Sequence, residues 1–247
     1  MDAKKSLFGD EFTLLVEKRI KNFLGYGNLK SDVWFVGMEE GHNENNEILI
    51  NRFKATSHAE VFDIYEDMEV DPGHMAWFKD NAPTQATYRR LIYLLLYLQN
   101  KSEPTLEEVR QFQIKRFGRK TSNHAVLELM PLPAKSIQVK DWLYSDVDVL
   151  GLKTRKEYLK TYKPERIKRL RELINEYKPK LVIFYSRIYL PDWKEIIPGV
   201  LKEVISKKLN IAKDHDTLYA VVPHSTAFGT SKNDWNAIAK TILNYSV

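Results

Sequence analysis

The chain has 247 residues, 43% hydrophobic and 29% charged, with 38 Lys+Arg against 33 Asp+Glu for a formal charge of +5. That is an ordinary globular balance, and a chain of this length buries enough apolar surface to fold without staples. The absence of Cys excludes a disulfide scaffold, a thiolate zinc site and a cysteine nucleophile. The longest apolar run, Leu91–Leu98, spans only 8 residues, too short for a bilayer. The opening MDAKKSLFGDEF carries no apolar core or small-residue cleavage site, so a soluble, cytoplasmic protein is expected.

In chain order, Glu11–Phe23 reads as a helix marked by Leu14, Leu15, Ile20 and Phe23, and Val33–Val36 as a buried strand. Residues 42–83 are polar and read as an irregular insertion, with Asp71-Pro72-Gly73 as a turn. Pro83-Thr84 opens a helix to about Gln99, and Thr105–Lys115 is a shorter one. Ala125–Leu129 is the second strand. Pro164 suits the first turn of a helix ended by Pro179, before strand Leu181–Tyr185. A further helix is expected from Pro191 to about Lys208, then strand Leu218–Val222. Ser231 and Asp234 form a capping box for helix Trp235–Asn244. Near-continuous apolar strands alternating with helices predict one α/β domain over 1–247: a three-layer α/β/α sandwich around a central four-stranded parallel sheet.

Charge is uneven. Residues 153–180 hold 11 Lys/Arg and 4 Asp/Glu, a net +7, so the remainder sums to −2. This helix and the cluster Lys115, Arg116, Arg119 and Lys120 are candidate phosphate contacts or simply solvated faces. Ligands of open parallel sheets bind at the carboxyl ends of strands. There the sequence places Gly37-Met38-Glu39-Glu40-Gly41-His42, then Glu128 ahead of Met130-Pro131-Leu132-Pro133, and finally His224-Ser225-Thr226. Gly-x-Gly-x-x-Gly, Walker and His-Glu-x-x-His motifs are absent. Glu39, Glu40, His42 and His224 lack paired ligand spacing, so neither metal nor cofactor is expected.

VWFVGMEEGHN (33–43), the proline-rich exit of the second strand, KPKLVIFYS (178–186) and His224-Ser225-Thr226 together resemble the uracil-DNA glycosylase superfamily over roughly residues 10–245. The resemblance implies that fold, and a base extruded from nucleic acid or a free base or nucleotide held at the strand ends. It also implies hydrolysis of an N-glycosidic bond, with Glu39 and His224 as catalytic residues. Gly37, Met38, Glu40, Gly41, His42, Glu128, Ser225 and Thr226 would bind substrate, with Trp77 or Phe78 stacking on the base. A monomer is favoured. The alternative is a non-enzymatic module on the same fold that binds nucleic acid or protein. The chain departs from the family's pattern at Met38, Glu40 and Ser225, and Glu128 stands where the family reads uracil with Asn. An ionised Glu128 only accepts hydrogen bonds, which would favour a base with an amino donor, guanine or cytosine.

Overall fold

The computed structural model describes residues 9–41, 46–136 and 142–246. It begins with α1 (Asp10–Asn22), β1 (Gly25–Gly27), β2 (Val33–Gly37), α2 (Asn46–Ala55), β3 (Val61–Phe62), α3 (Ile64–Met68) and α4 (Pro72–Met75). A 3-10 turn (Ala76–Phe78), α5 (Ala86–Asn100), α6 (Leu106–Lys115), β4 (His124–Glu128) and the long α7 (Arg155–Tyr177) follow. The chain closes with β5 (Leu181–Tyr185), a second 3-10 turn (Arg187–Tyr189), α8 (Leu190–Ile196), β6 (Lys202–Ile205), β7 (Leu209–Asp214), β8 (Thr217–Val222) and α9 (Lys232–Tyr245).

The strands form one mixed sheet, ordered β3-β1-β4-β2-β5-β8-β7-β6. Its central neighbours β4, β2, β5 and β8 are parallel, with Val126, Phe35, Ile183 and Ala220 in register across them. These residues belong to one core, shared with Leu91, Leu95, Trp235 and Ile238 of α5 and α9. The next row, Ala125, Trp34, Val182 and Tyr219, enters the core of the opposite face with Val16, Leu170 and Trp193 of α1, α7 and α8. Alternate side chains are therefore buried on opposite faces, and this removes the polar alternation that a half-exposed strand would show.

Four expectations need correction. The sheet is mixed and eight-stranded among the described residues, not four-stranded and parallel: β1 and β3 extend one edge, β7 and β6 the other. β1 is only Gly-Tyr-Gly, and a Cβ at Gly25 (φ +145) would strike the Val126 carbonyl, so close pairing with β4 requires glycine. The helix expected over 191–208 ends at Ile196, and Pro198-Gly199 leads instead into the β6–β7 hairpin. Pro164 lies inside α7, whose N-cap is Thr154. Residues 46–83 are ordered into α2, β3, α3, α4 and a turn. No described helix is long and apolar enough to cross a membrane.

Candidate functional site

Because β2, β4, β5 and β8 run the same way, the segments leaving them share one edge of the sheet. Pairing of β2 with β4 continues beyond the strands. The Leu129, Met130 and Ala134 amides donate to the carbonyls of Gly37 (2.9 Å), Met38 (2.6 Å) and Glu40 (3.0 Å). The proline-rich exit thus forms a rail that holds the Gly37–Gly41 loop open beneath a cavity of about 920 Å³. Met38, Glu39, Glu40, Gly41, Trp77, Phe78, Glu128 and His224 all line it. Gly37 lies behind the wall: a Cβ there would fall on Glu128 Oε2 and the Tyr185 hydroxyl, so only glycine lets them sit there. Ser225 is buried with no partner for its hydroxyl, and Thr226 touches His224. His42 lies outside the described residues.

The two loop glutamates have different surroundings. Glu40 is held on both oxygens: its Oε1 accepts from Arg52 Nη2 (3.0 Å) and lies 2.6 Å from Tyr26 Oη, whose one proton is shared between Glu40 and Asp67, and its Oε2 accepts from Arg19 Nη2. Arg19 also donates to the Pro131 carbonyl (3.0 Å) and Thr56 Oγ1 (2.7 Å), and its guanidinium lies 3.6 Å from the Phe23 ring centroid. Arg52 pairs with buried Asp67 at 2.7 Å. Burial alone would raise Asp67, but Arg52 and then Arg19 and Tyr26 hold it below the usual carboxylate range. Glu40 therefore anchors the loop to α1 and α2.

Glu39 pairs through Oε1 with Arg155 Nη2, at the first position of α7, and its Oε2 has no partner. Burial raises its pKa, against the opposing pull of Arg155. His224 Nδ1 accepts the Thr226 amide (3.3 Å) and lies 2.9 Å from Thr226 Oγ1. That assigns the proton of the neutral ring to Nε2, and burial lowers the pKa so the neutral ring dominates at pH 7.

Glu128 corrects the expectation of an anionic reader. Its side chain is 8% exposed, Oε1 accepts from Tyr185 Oη (2.8 Å), and Oε2 has no partner. Burial, and next the charge on Glu40, push its pKa well above the usual carboxylate range. The acid form is favoured, and it offers a donor as well as an acceptor. A carboxyl whose pKa is raised by folding loses stability as pH climbs from the unfolded value toward the folded one. Glu128→Gln should therefore raise the melting temperature at pH 8 by several degrees and change it little at pH 4.5. Equal shifts at both pH values would show that Glu128 is not protonated.

Several site residues escaped the sequence reading. Arg19 falls on the apolar stripe of α1 beside Phe12, Leu15, Val16 and Ile20, and a charge on such a stripe is itself a signal of a buried pair. Tyr88 contributes a half-buried phenol to the lining, its pKa raised first by desolvation and then by Glu40. Ser186, also lining, holds φ 143°, a conformation costly for any residue with a Cβ. At the rim, Ile188 is 76% exposed and Phe228 fully exposed. Phe78 is buried edge-on to Tyr65, whereas Trp77 is half-buried with its carbonyl held by Gln113 Nε2 (2.9 Å). The basic clusters are partly neutralised: Arg119 pairs with Asp63, Lys120 with Glu66, Lys163 with Asp192, Arg169 with Glu60 and Lys180 with Asp32. Exposed Lys153, Lys156 and Lys160, around Arg155, make no ion pair among the described residues. Among those residues no group of three or more His, Asp or Glu could hold a metal ion. No protein-family model matches the chain, and comparison with curated proteins gives no significant match.

Proposed function

We propose that the cavity binds an uncharged planar base presented by nucleic acid and hydrolyses its N-glycosidic bond, on a fold of the uracil-DNA glycosylase kind. The observation that carries this reading is the meeting of Glu39, Glu128 and His224 at one strand edge, two of them with an unpartnered carboxyl oxygen. The Gly37–Gly41 and His224 segments leave the carboxyl ends of the parallel strands β2 and β8, where ligands of such sheets bind. Among the described lining residues the Arg and Lys side chains are Arg52, committed to Asp67 and Glu40, and exposed Lys135. Such an interior suits a neutral ring better than a phosphate.

In the reaction the bond between C1′ and the base nitrogen breaks and its electron pair leaves with the base. Water oriented by Glu39 Oε2 bonds to C1′ and gives its proton to that carboxylate. The His224 Nε2–H faces the anionic base until solvent protonates it. Protonated Glu128 reads a ring edge that sets a donor beside an acceptor, as in uracil or cytosine, so it removes the bias toward two-donor edges that an anion would impose. Lys153, Lys156 and Lys160 meet the backbone. Ile188 and Phe228 are apolar wedges that fill the gap left by an extruded base.

Extrusion is tested with oligonucleotides carrying 2-aminopurine, whose fluorescence rises when it leaves the base stack. Wild-type protein should raise it several-fold, and Phe228→Ala should abolish most of that rise while backbone affinity persists. Binding without any rise would overturn base capture.

A further inference from the structure

We infer that Arg155 is the positioning residue for Glu39, clamping Oε1 so that Oε2 alone is left to bond a water or ligand. The inference rests on the reading of Glu39 as the water-orienting carboxylate. Arg155 is placed by local chemistry: Thr154 caps α7 by accepting the Glu157 amide (3.1 Å), which sets residue 155 at the first helical position. From there the guanidinium reaches Glu39 across the cavity wall, with the two side chains 10% and 8% exposed. Pairing at one oxygen only, in so little solvent, leaves Oε2 the single open valence of the group.

The charged and titratable groups coupled to this carboxyl are Arg155 and Tyr158 from α7, Tyr189 from the turn after β5 and Glu128 from β4. Among the described residues Arg155 is the cation that acts on Glu39, and it opposes the burial that favours the acid. Tyr189, on the segment that carries rim residue Ile188, lies close enough to Arg155 to interact with it electrostatically. A protonated Glu39 would not take a proton from water, so the same contact that holds Oε1 also favours the ionised, proton-accepting form.

The test is a carboxyl carbon-13 NMR titration of glutamate-labelled protein, with Glu39→Gln to assign the resonance. Wild type, Arg155→Gln and Arg155→Lys are compared, and near-UV circular dichroism verifies packing. In Arg155→Gln the Glu39 midpoint should rise, whereas Arg155→Lys, which keeps the charge, should stay near wild type. Turnover of Arg155→Gln should fall on the order of 10²-fold at pH 7 and recover partly as pH rises past the new midpoint. A midpoint unmoved in Arg155→Gln overturns the positioning role whatever the turnover. Loss of Arg155→Gln to misfolding leaves the decision to Arg155→Lys: its turnover should be lowered with the midpoint kept, and wild-type turnover in that variant overturns the clamp. A shifted midpoint in a wild-type protein without turnover overturns the hydrolase reading alone.

Discussion

Glu39→Gln should lower turnover by about 10²–10³-fold at pH 7, and His224→Ala by a similar factor. Gln fills the same volume and still reaches Arg155, but its amide cannot take a proton from water. His224→Ala removes the donor that faces the leaving base and leaves Glu39 in place. The two losses act on opposite ends of one bond, so neither variant should weaken oligonucleotide binding, which depends on the rim and on Lys153, Lys156 and Lys160. Single-turnover kinetics on a cleavable oligonucleotide, paired with binding isotherms, checks both statements. Unchanged turnover in both variants would remove these residues from the chemistry.

The largest effect on stability is expected at Arg52. Its guanidinium serves Asp67, Glu40 and the Tyr26 hydroxyl, all on or under the cavity floor. Arg52→Ala leaves a buried carboxylate without its principal cation, and removal of one partner from such a pair costs about 3–5 kcal/mol. For a chain of this size that corresponds to a fall of roughly 6–20 °C in melting temperature. The sign with pH follows from Asp67, whose folded pKa lies below its unfolded one. The pair's contribution is full above the unfolded value and lost as pH falls through the folded one. The penalty of Arg52→Ala should therefore be greatest near pH 7 and shrink in strong acid. Urea unfolding at a series of pH values measures it, and a penalty independent of pH would contradict the role given to Asp67.

The central strands were legible because burial on both faces writes an apolar run, as in Val33–Val36 and Leu181–Tyr185. The outer strands were not. β1 is three residues of Gly-Tyr-Gly, which carry no periodicity. In β6 Lys202 and Glu203 are exposed, and Trp193, Ile196, Ile197, Leu201, Val204 and Ile205 fall at helical spacing that only Pro198-Gly199 interrupts. At the site, the strand-end rule located Glu39, Glu128 and His224 without any contact information. It gave no access to ionisation. Glu40 and Glu39 are adjacent in the chain, yet one is locked by two arginines from α1 and α2 while the other keeps an open oxygen. That difference arises from helices brought together only by folding, as does the burial that favours the acid form of Glu128.

The most direct measurement is abasic-site formation by the purified protein, with EDTA present, on end-labelled single- and double-stranded oligonucleotides carrying uracil, hypoxanthine, xanthine or normal bases. The account predicts alkali-dependent cleavage at one base, lost in Glu39→Gln and in His224→Ala. Folded protein that binds these strands and cleaves none of them would contradict it and leave a cavity that holds a base without breaking its bond.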